Sequence, residues 1–105
     1  MKAEYEALAK ANENSWRILF SIANVFSYNE YFKEAIQMWQ KTFDCMQYPR
    51  STDSINAKAQ CCVRMVDHVS AVEYYKKELE LLREDWGLKY GAEVEALEEK
   101  IRALQ

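Results

Sequence analysis

The stretch FKEAIQMWQK, residues 32–41, decides the fold, because a variant of it, HVSAVEYYKK, returns at residues 68–77. The alanines of the two stretches, Ala35 and Ala71, lie 36 residues apart. In both stretches the apolar side chains follow the three- and four-residue steps that place them on one face of a helix. Self-similarity with a period of about 20 to 50 residues is typical of helical repeat proteins. The chain is therefore predicted to contain two tandem helical units.

A second pair of alanines lies upstream of the first. Ala23 and Ala59 each precede their partner alanine by twelve residues. Small residues at a helix crossing let two backbones approach closely, and bulky neighbours fill the space beside the crossing. An aromatic residue four positions after each downstream alanine supplies this bulk. Because short connections make neighbouring helices antiparallel, each unit is predicted to be a hairpin whose helices touch at the alanines.

Apolar spacing predicts five helical segments. They run over about residues 3–27, 30–45, 51–65, 69–86 and 91–105. The front half of the first segment is less apolar and is either a separate turn or a frayed end. Pro49 and Gly87 mark the ends of the second and fourth segments, since proline cannot continue a helix and glycine favours its left-handed terminus.

The predicted fold is accordingly all-α, a stack of two antiparallel helical hairpins and a C-terminal capping helix. All 105 residues are assigned to one domain. Repeat 1 spans about 15–47, repeat 2 about 51–86 and the capping helix about 91–105. The alternative role of the last apolar stripe is to pair with a second copy of the chain in a homodimer.

Composition agrees with a helical, globular chain and excludes several functions. The chain is 50% hydrophobic and 30% charged, and its two glycines and one proline are too few for the turns of an all-β protein. The net charge of −3 argues against direct nucleic-acid binding, which needs a basic face. No apolar run is long enough for a membrane span, and no signal peptide is recognised at the N-terminus. The odd count of three cysteines predicts a reducing, cytoplasmic location.

Known catalytic and metal-binding motifs are missing from the sequence. There is no HExxH, no CxxC pair and no glycine-rich phosphate loop. His68 is interpreted as a corner residue, and Cys45, Cys61 and Cys62 as small core residues. The chain is therefore predicted to be neither an enzyme nor the holder of a cofactor or metal, although a small helical enzyme remains a third, disfavoured class.

The repeat resembles the tetratricopeptide repeat (TPR) pattern. The matching positions are Leu19, Ile22, Ala23, Phe26, Phe32, Ala35 and Trp39 in the first copy and Ile55, Ala59, Ala71 and Tyr75 in the second. The resemblance implies a TPR-like α-α superhelix. The departures are Glu30 and Val66 at the turn glycine, Lys58 at an apolar position, and Thr42 and Glu78 at a small one.

The second half also resembles the bacterial transcriptional activator domain, the TPR-like module of SARP-type regulators. The similar segments are residues 71–88 and 93–101, a long charged helix that ends in Trp86-Gly87-Leu88, where the family has leucine-glycine-valine, and a final helix. Tyr90-Gly91-Ala92 stands where that family commonly has proline-serine-proline. The resemblance implies a regulatory module that mediates self-association or partner docking, with the DNA-binding domain elsewhere in a parent protein.

In TPR-like stacks the first helix of each hairpin lines a concave, partner-binding face. The resemblance carries this role to Arg17, Phe20, Asn24, Tyr28, Asn56, Gln60 and Arg64. Amide and guanidinium groups can bond a peptide backbone or a carboxylate, and aromatic residues can anchor it. The alternative interpretation is an ordinary solvated face. The lysine that a chaperone-tail carboxylate clamp needs is replaced by Phe20.

Two functions remain open. The leading prediction is a protein-interaction or regulatory module of a bacterial transcriptional or signalling regulator, with a protein or peptide partner. The alternative is a generic TPR adaptor or chaperone, for example of a secretion system, without a transcriptional role.

Overall fold

A computed structural model describes all 105 residues and shows six α-helices and no strand, which confirms the all-α prediction. The helices are α1 (Lys2–Ala11), α2 (Trp16–Tyr28), α3 (Phe32–Asp44), α4 (Asp53–Arg64), α5 (His68–Trp86) and α6 (Ala92–Leu104).

The first predicted segment is divided into α1 and α2, so that the prediction of one helix over residues 3–27 is wrong. The Asn12 side chain donates to the Leu8 carbonyl at 2.8 Å where α1 ends. The Ser15 hydroxyl accepts from the Ile18 amide at 3.5 Å where α2 begins. Asparagine and serine side chains compete in this way for backbone hydrogen bonds, and therefore they favour helix ends over helix interiors.

Each helix packs mainly against its neighbours along the chain. Between α4 and α5, Asn56 contacts Glu78 and Lys58 contacts Tyr74, so residue numbers rise on one helix as they fall on the other. The first turn of α5 likewise borders the last turn of α6. These neighbours therefore run antiparallel, as short connections require.

The four repeat alanines are completely buried. Ala23 and Ala35 lie in a core cluster between α2 and α3, together with Phe26 and Trp39. Ala59 and Ala71 lie in a second cluster between α4 and α5. The second cluster also contains Val94, Leu97 and Ile101 of α6, so the stripe of the last helix is buried within a single chain.

Three aromatic or aliphatic residues that continue the apolar stripes of their helices are exposed. Trp16 is 41% exposed, Trp86 52% and Val66 76%. Each lies at or beyond the end of a helix. Helical periodicity sets the direction of a side chain, but at a helix end the neighbouring helix no longer covers it.

The positions that replace the TPR turn glycine adopt the left-handed conformation. Glu30 has φ of 64° and Val66 has φ of 60°. Around each, the hydrogen bonds repeat: Tyr31 N–H donates to the Phe26 carbonyl at 2.9 Å, and Asp67 N–H donates to the Cys62 carbonyl at 2.8 Å. These six-to-one bonds belong to Schellman motifs. The two hairpins therefore turn by the same corner, 36 residues apart.

Replacing Val66 by glycine is expected to stabilise the fold. A left-handed β-branched residue is strained by about 1–2 kcal/mol, and an exposed valine loses little burial when it is removed. We expect the free energy of unfolding in urea to rise by roughly 1 kcal/mol. Val69→Gly is the matched control, because Val69 is equally exposed but helical, and it should lose roughly 0.5 kcal/mol. Equal destabilisation by both changes would contradict the strain at Val66.

The polar departures from the TPR pattern are buried with partners. The Thr42 hydroxyl donates to the Met38 carbonyl at 2.8 Å. The Lys58 amine donates to the Gln40 side chain and lies 4.6 Å from the centre of the Tyr74 ring. Burial lowers the pKa of Lys58, with the nearby charge of Lys77 as a second cause. The positions tolerate polar residues because each buried group has a hydrogen-bond partner.

Glu78 is the buried carboxylate of the molecule, and it makes stability depend on pH. Its side chain accepts from the Asn56 amide at 2.9 Å. Desolvation raises the pKa of Glu78, against the opposing effects of that hydrogen bond and of Lys100, and Asp53 and Glu93 raise it further. The pKa of Glu78 is higher in the folded state than in the unfolded state. The contribution of its protonated form to stability is therefore fully present below the unfolded pKa. It is lost as pH rises through the folded pKa.

Glu78→Gln is therefore expected to stabilise the protein at pH 7. Glutamine keeps the oxygen that accepts from Asn56 and removes the buried charge, for a gain of about 1 kcal/mol. This gain in the free energy of unfolding should shrink when the urea titration is repeated at a pH below the ordinary pKa of glutamate. Glu80→Gln, on the exposed side of the same helix, is the control and should show no such trend. A pH-independent difference for Glu78→Gln would refute the ionisation argument.

Candidate functional site

Helices α2 and α4 run in the same direction and are in side-chain contact near their C-terminal ends. At one end the Ser27 hydroxyl lies 3.5 Å from the Cys61 sulfur, and Arg64 donates to the Ser27 carbonyl at 3.3 Å. At the other end Trp16 of α2 and Asp53 of α4 line the same cavity. The two helices thus border one surface, here called the α2–α4 groove, which has a cavity at each end.

The first cavity is about 460 Å³ and is called the Trp16 pocket. Its walls combine apolar and polar side chains, those of Trp16, Phe20, Met46, Gln47, Pro49, Ser51 and Asp53. Trp16 meets Phe20 edge to face with ring centres 6.4 Å apart, and Phe20 meets the buried Trp39 in the same way at 4.9 Å. This aromatic series connects the pocket to the core and holds its floor rigid.

The loop between α3 and α4, residues 45–52, forms the outer wall of the Trp16 pocket. At its start the Cys45 thiol donates to the Glu13 carbonyl at 3.0 Å. In the middle of the loop the Arg50 side chain donates two hydrogen bonds to Asp85, from Nε to Oδ2 at 2.8 Å and from Nη2 to Oδ1 at 3.1 Å. The Trp86 indole donates to the Arg50 carbonyl at 2.7 Å. The Arg50 guanidinium also holds the pKa of Asp85 below its ordinary value.

Arg50→Lys is expected to loosen this wall. A lysine ammonium cannot form the two parallel bonds of the guanidinium fork, and so the loop loses its geometric restraint at Asp85. Hydrogen exchange should become faster at the amides of residues 46–52 and stay unchanged in the middle of α2. Arg83→Lys, an exposed arginine of α5 that forms no ion pair, is the control. Unchanged loop exchange in Arg50→Lys would show that the fork does not restrain the wall.

The second cavity is about 440 Å³ and is called the Arg64 pocket. It lies at the C-terminal ends of α2 and α4 and is lined by Asn24, Val25, Ser27, Tyr28, Asn29 and Arg64. The Arg64 guanidinium stacks 4.6 Å from the centre of the Phe32 ring, and its Nη2 lies 3.4 Å from Glu30 Oε1. The pocket therefore presents a positioned cation beside the exposed ring of Tyr28.

Of the seven predicted partner-binding residues, three line the Arg64 pocket, one lines the Trp16 pocket and three line neither cavity. Asn24, Tyr28 and Arg64 meet in the Arg64 pocket, and Phe20 lies in the Trp16 pocket. Arg17 is exposed on α2, with its guanidinium 5.3 Å from the centre of the Trp16 ring.

Asn56 and Gln60 line neither cavity. Asn56 turns away from the groove to donate to Glu78. Gln60 donates to the Asn56 side chain. Sequence reasoning missed Trp16, Met46 and Asp53. Trp16 directly follows the Ser15 cap, and this position at a helix start is the signal that could have identified it as uncovered.

The exposed face of α2 has the composition of an interface. Arg17 is the only charged residue among the thirteen of α2, whereas α6, of equal length, has six. Its two most exposed aromatic residues are Trp16, 41% exposed, and Tyr28, 87% exposed. Protein interfaces are depleted of charged residues at their centre and enriched in tryptophan, tyrosine and arginine.

The cysteines and the histidine line neither of the groove's two cavities. Cys61 and Cys62 are buried, as predicted for small core residues. Burial raises the pKa of the Cys61 thiol and, with the charges of Asp67 and Cys61, raises the pKa of Cys62 to about 11. His68 is exposed at the start of α5. No three ligand side chains come together to hold a metal ion, and none of the six helices combines the length and apolar character that crossing a bilayer requires.

Comparison with known proteins assigns no family: no protein-family model matches the chain, and no curated protein matches it either. The resemblance of residues 71–88 and 93–101 to the bacterial transcriptional activator domain therefore stays a prediction.

Proposed function

We propose that this chain is a protein-interaction module that binds an extended peptide segment of a partner protein in the α2–α4 groove. The observation that carries the proposal is the pair of exposed aromatic residues at the two ends of α2. Trp16 and Tyr28 stand exposed on a helix with one charged residue, and a cavity opens beside each of them. Exposed aromatic side chains next to preformed cavities are the usual anchors of a binding site.

The size of the groove suits an extended peptide. Helix α2 has thirteen residues, which corresponds to a length of about 20 Å at 1.5 Å per residue. An extended chain advances about 3.3 Å per residue, so the groove accommodates about six residues. The two cavities would each receive one side chain, and the Asn24 amide would bond the peptide backbone.

The proposal includes a TPR-like arrangement of the helices. Three features support it: the buried alanines recur after 36 residues, the two left-handed corners recur after the same interval, and the first helices of the two hairpins run parallel. Helical repeats with such a regular offset form a continuous surface from the first helix of each unit.

The regulatory setting that we propose, a bacterial transcriptional or signalling protein, rests on the sequence resemblance of the α5–α6 region. A winged-helix or receiver domain encoded beside this module would support that setting. A partner drawn from exported effector proteins, identified by its groove-dependent binding, would instead favour a secretion chaperone.

Selection from a displayed library of random ten-residue peptides tests the groove directly. The purified chain should enrich a set of related peptides, and fluorescence polarisation should then measure the affinity of the most enriched one. Trp16→Ala and Tyr28→Ala are each expected to weaken it at least about tenfold, because aromatic anchors dominate binding energy. Tyr90→Ala is the matched control, since Tyr90 is 84% exposed outside the groove.

Urea unfolding of each variant separates binding from folding. Tyr28 is 87% exposed, and its replacement should leave the unfolding midpoint close to that of the unaltered chain. Trp16 is partly covered by Phe20, so Trp16→Ala should lower the midpoint while the chain stays folded. Failure to enrich any peptide, or equal affinity in Trp16→Ala, Tyr28→Ala and Tyr90→Ala, would overturn the proposed binding site.

A further inference from the structure

We infer that the peptide bound by the α2–α4 groove is bipolar: it carries a basic side chain for the Trp16 pocket and an acidic side chain, about five residues away, for the Arg64 pocket. The inference rests on the proposed function and specifies the chemistry of the partner. It follows from the charges of the two cavities, because each cavity is lined by a single charged residue and the two are of opposite sign.

Asp53 is the only charge of the Trp16 pocket. It is exposed and takes part in none of the three ion pairs of the molecule, so its carboxylate is available to a ligand. The aromatic rings of Trp16 and Phe20 and the Met46 side chain face the same space. A lysine or arginine side chain fits this combination, because its methylene groups pack on apolar walls while its cationic end reaches a carboxylate or an aromatic face.

Arg64 gives the opposite pocket its positive charge. The Phe32 ring and the Ser27 carbonyl hold the guanidinium in place before any ligand arrives. Its ion pair with Glu30 is long, at 3.4 Å, and both side chains are well exposed, at 50% and 71%. Such a pair contributes little and exchanges easily, so the carboxylate of a peptide can replace Glu30.

The spacing of the two charges sets the spacing in the peptide. Asp53 and Arg64 are the first and last residues of α4, eleven positions apart. Eleven residues turn a helix through three full turns plus about 20°, which leaves both residues on nearly the same face, and separate them by about 17 Å. An extended peptide covers that distance in about five residues.

Charge reversal at each end provides the test. The unaltered chain should enrich, from the same library, peptides with one basic and one acidic residue about five positions apart. Asp53→Lys makes both pockets positive and should enrich peptides with two acidic residues. Arg64→Glu makes both pockets negative and should enrich peptides with two basic residues. The double variant restores one charge of each sign and should again select bipolar peptides.

The affinity of one bipolar peptide for each variant provides a quantitative test of the charge pattern. Asp53→Lys should weaken its binding about tenfold, and exchanging the basic residue of the peptide for glutamate should restore most of the loss. Arg83→Glu is the control, because Arg83 is exposed on α5, forms no ion pair and lines neither cavity. It should leave the charge pattern of the selected peptides unchanged.

The outcomes distinguish failure of the bipolar-peptide inference from failure of the proposed peptide binding. Peptides that require Trp16 and Tyr28 but show no paired charges, or whose charges do not follow the reversals, would overturn the bipolar partner and leave the groove intact. Asp53 and Arg64 would then serve only to complement the dipole of α4, and their substitution would change stability alone. Enrichment of no peptide at all would remove both proposals.

Discussion

Close contact between helix backbones at four alanines is the constraint on which the rest of the structure depends. Ala23, Ala35, Ala59 and Ala71 have no solvent exposure, and each pair joins the two helices of one hairpin. Protein interiors are packed as densely as organic crystals, so a larger side chain at any of these positions forces the helices apart. The alanines recur after 36 residues in the two hairpins, and α3 packs against α4 between them. This packing brings the C-terminal ends of α2 and α4 together, where the proposed groove has one of its cavities.

The groove also contains a chain segment that lies outside the repeated sequence. Its aromatic floor belongs to the first hairpin, whereas its outer wall is the loop of residues 45–52. That loop has no regular structure, and Arg50, Asp85 and Trp86 tie it to the end of the second hairpin. Function in repeat proteins often resides in such connections, because a rigid scaffold positions them while their sequence is free to vary. The two ends of the groove consequently differ in charge although the helices beneath them are similar.

The second hairpin carries the buried ionisable side chains of the fold. Lys58 and Glu78 are almost fully buried, and burial disfavours the charged form of each. They do not form an ion pair with one another: Lys58 bonds Gln40, and Glu78 accepts from Asn56. The first hairpin buries an uncharged hydroxyl, that of Thr42, at the position equivalent to Glu78. The electrostatic cost of folding is therefore concentrated in α4 and α5.

Much of the fold followed from the sequence by itself. Helical periodicity, the sparse breakers and the alanine spacing determined an all-α chain, the bounds of α3 to α6 within a few residues, and the alanine contacts, because these features depend on local geometry. The TPR resemblance also aligned Glu30 and Val66 with a turn glycine, and both residues adopt the left-handed conformation that glycine favours. Tertiary structure alone decided which apolar residues stay uncovered. Trp16 follows the same stripe as Leu19 and Ala23, and only the place where the neighbouring helix and loop stop leaves its ring beside a cavity. Tertiary structure also decided that Asn56 hydrogen-bonds Glu78 and that Arg50 of the loop hydrogen-bonds Asp85. Those contacts join residues 22 and 35 positions apart, and no periodic pattern encodes the rotation that brings such distant side chains together.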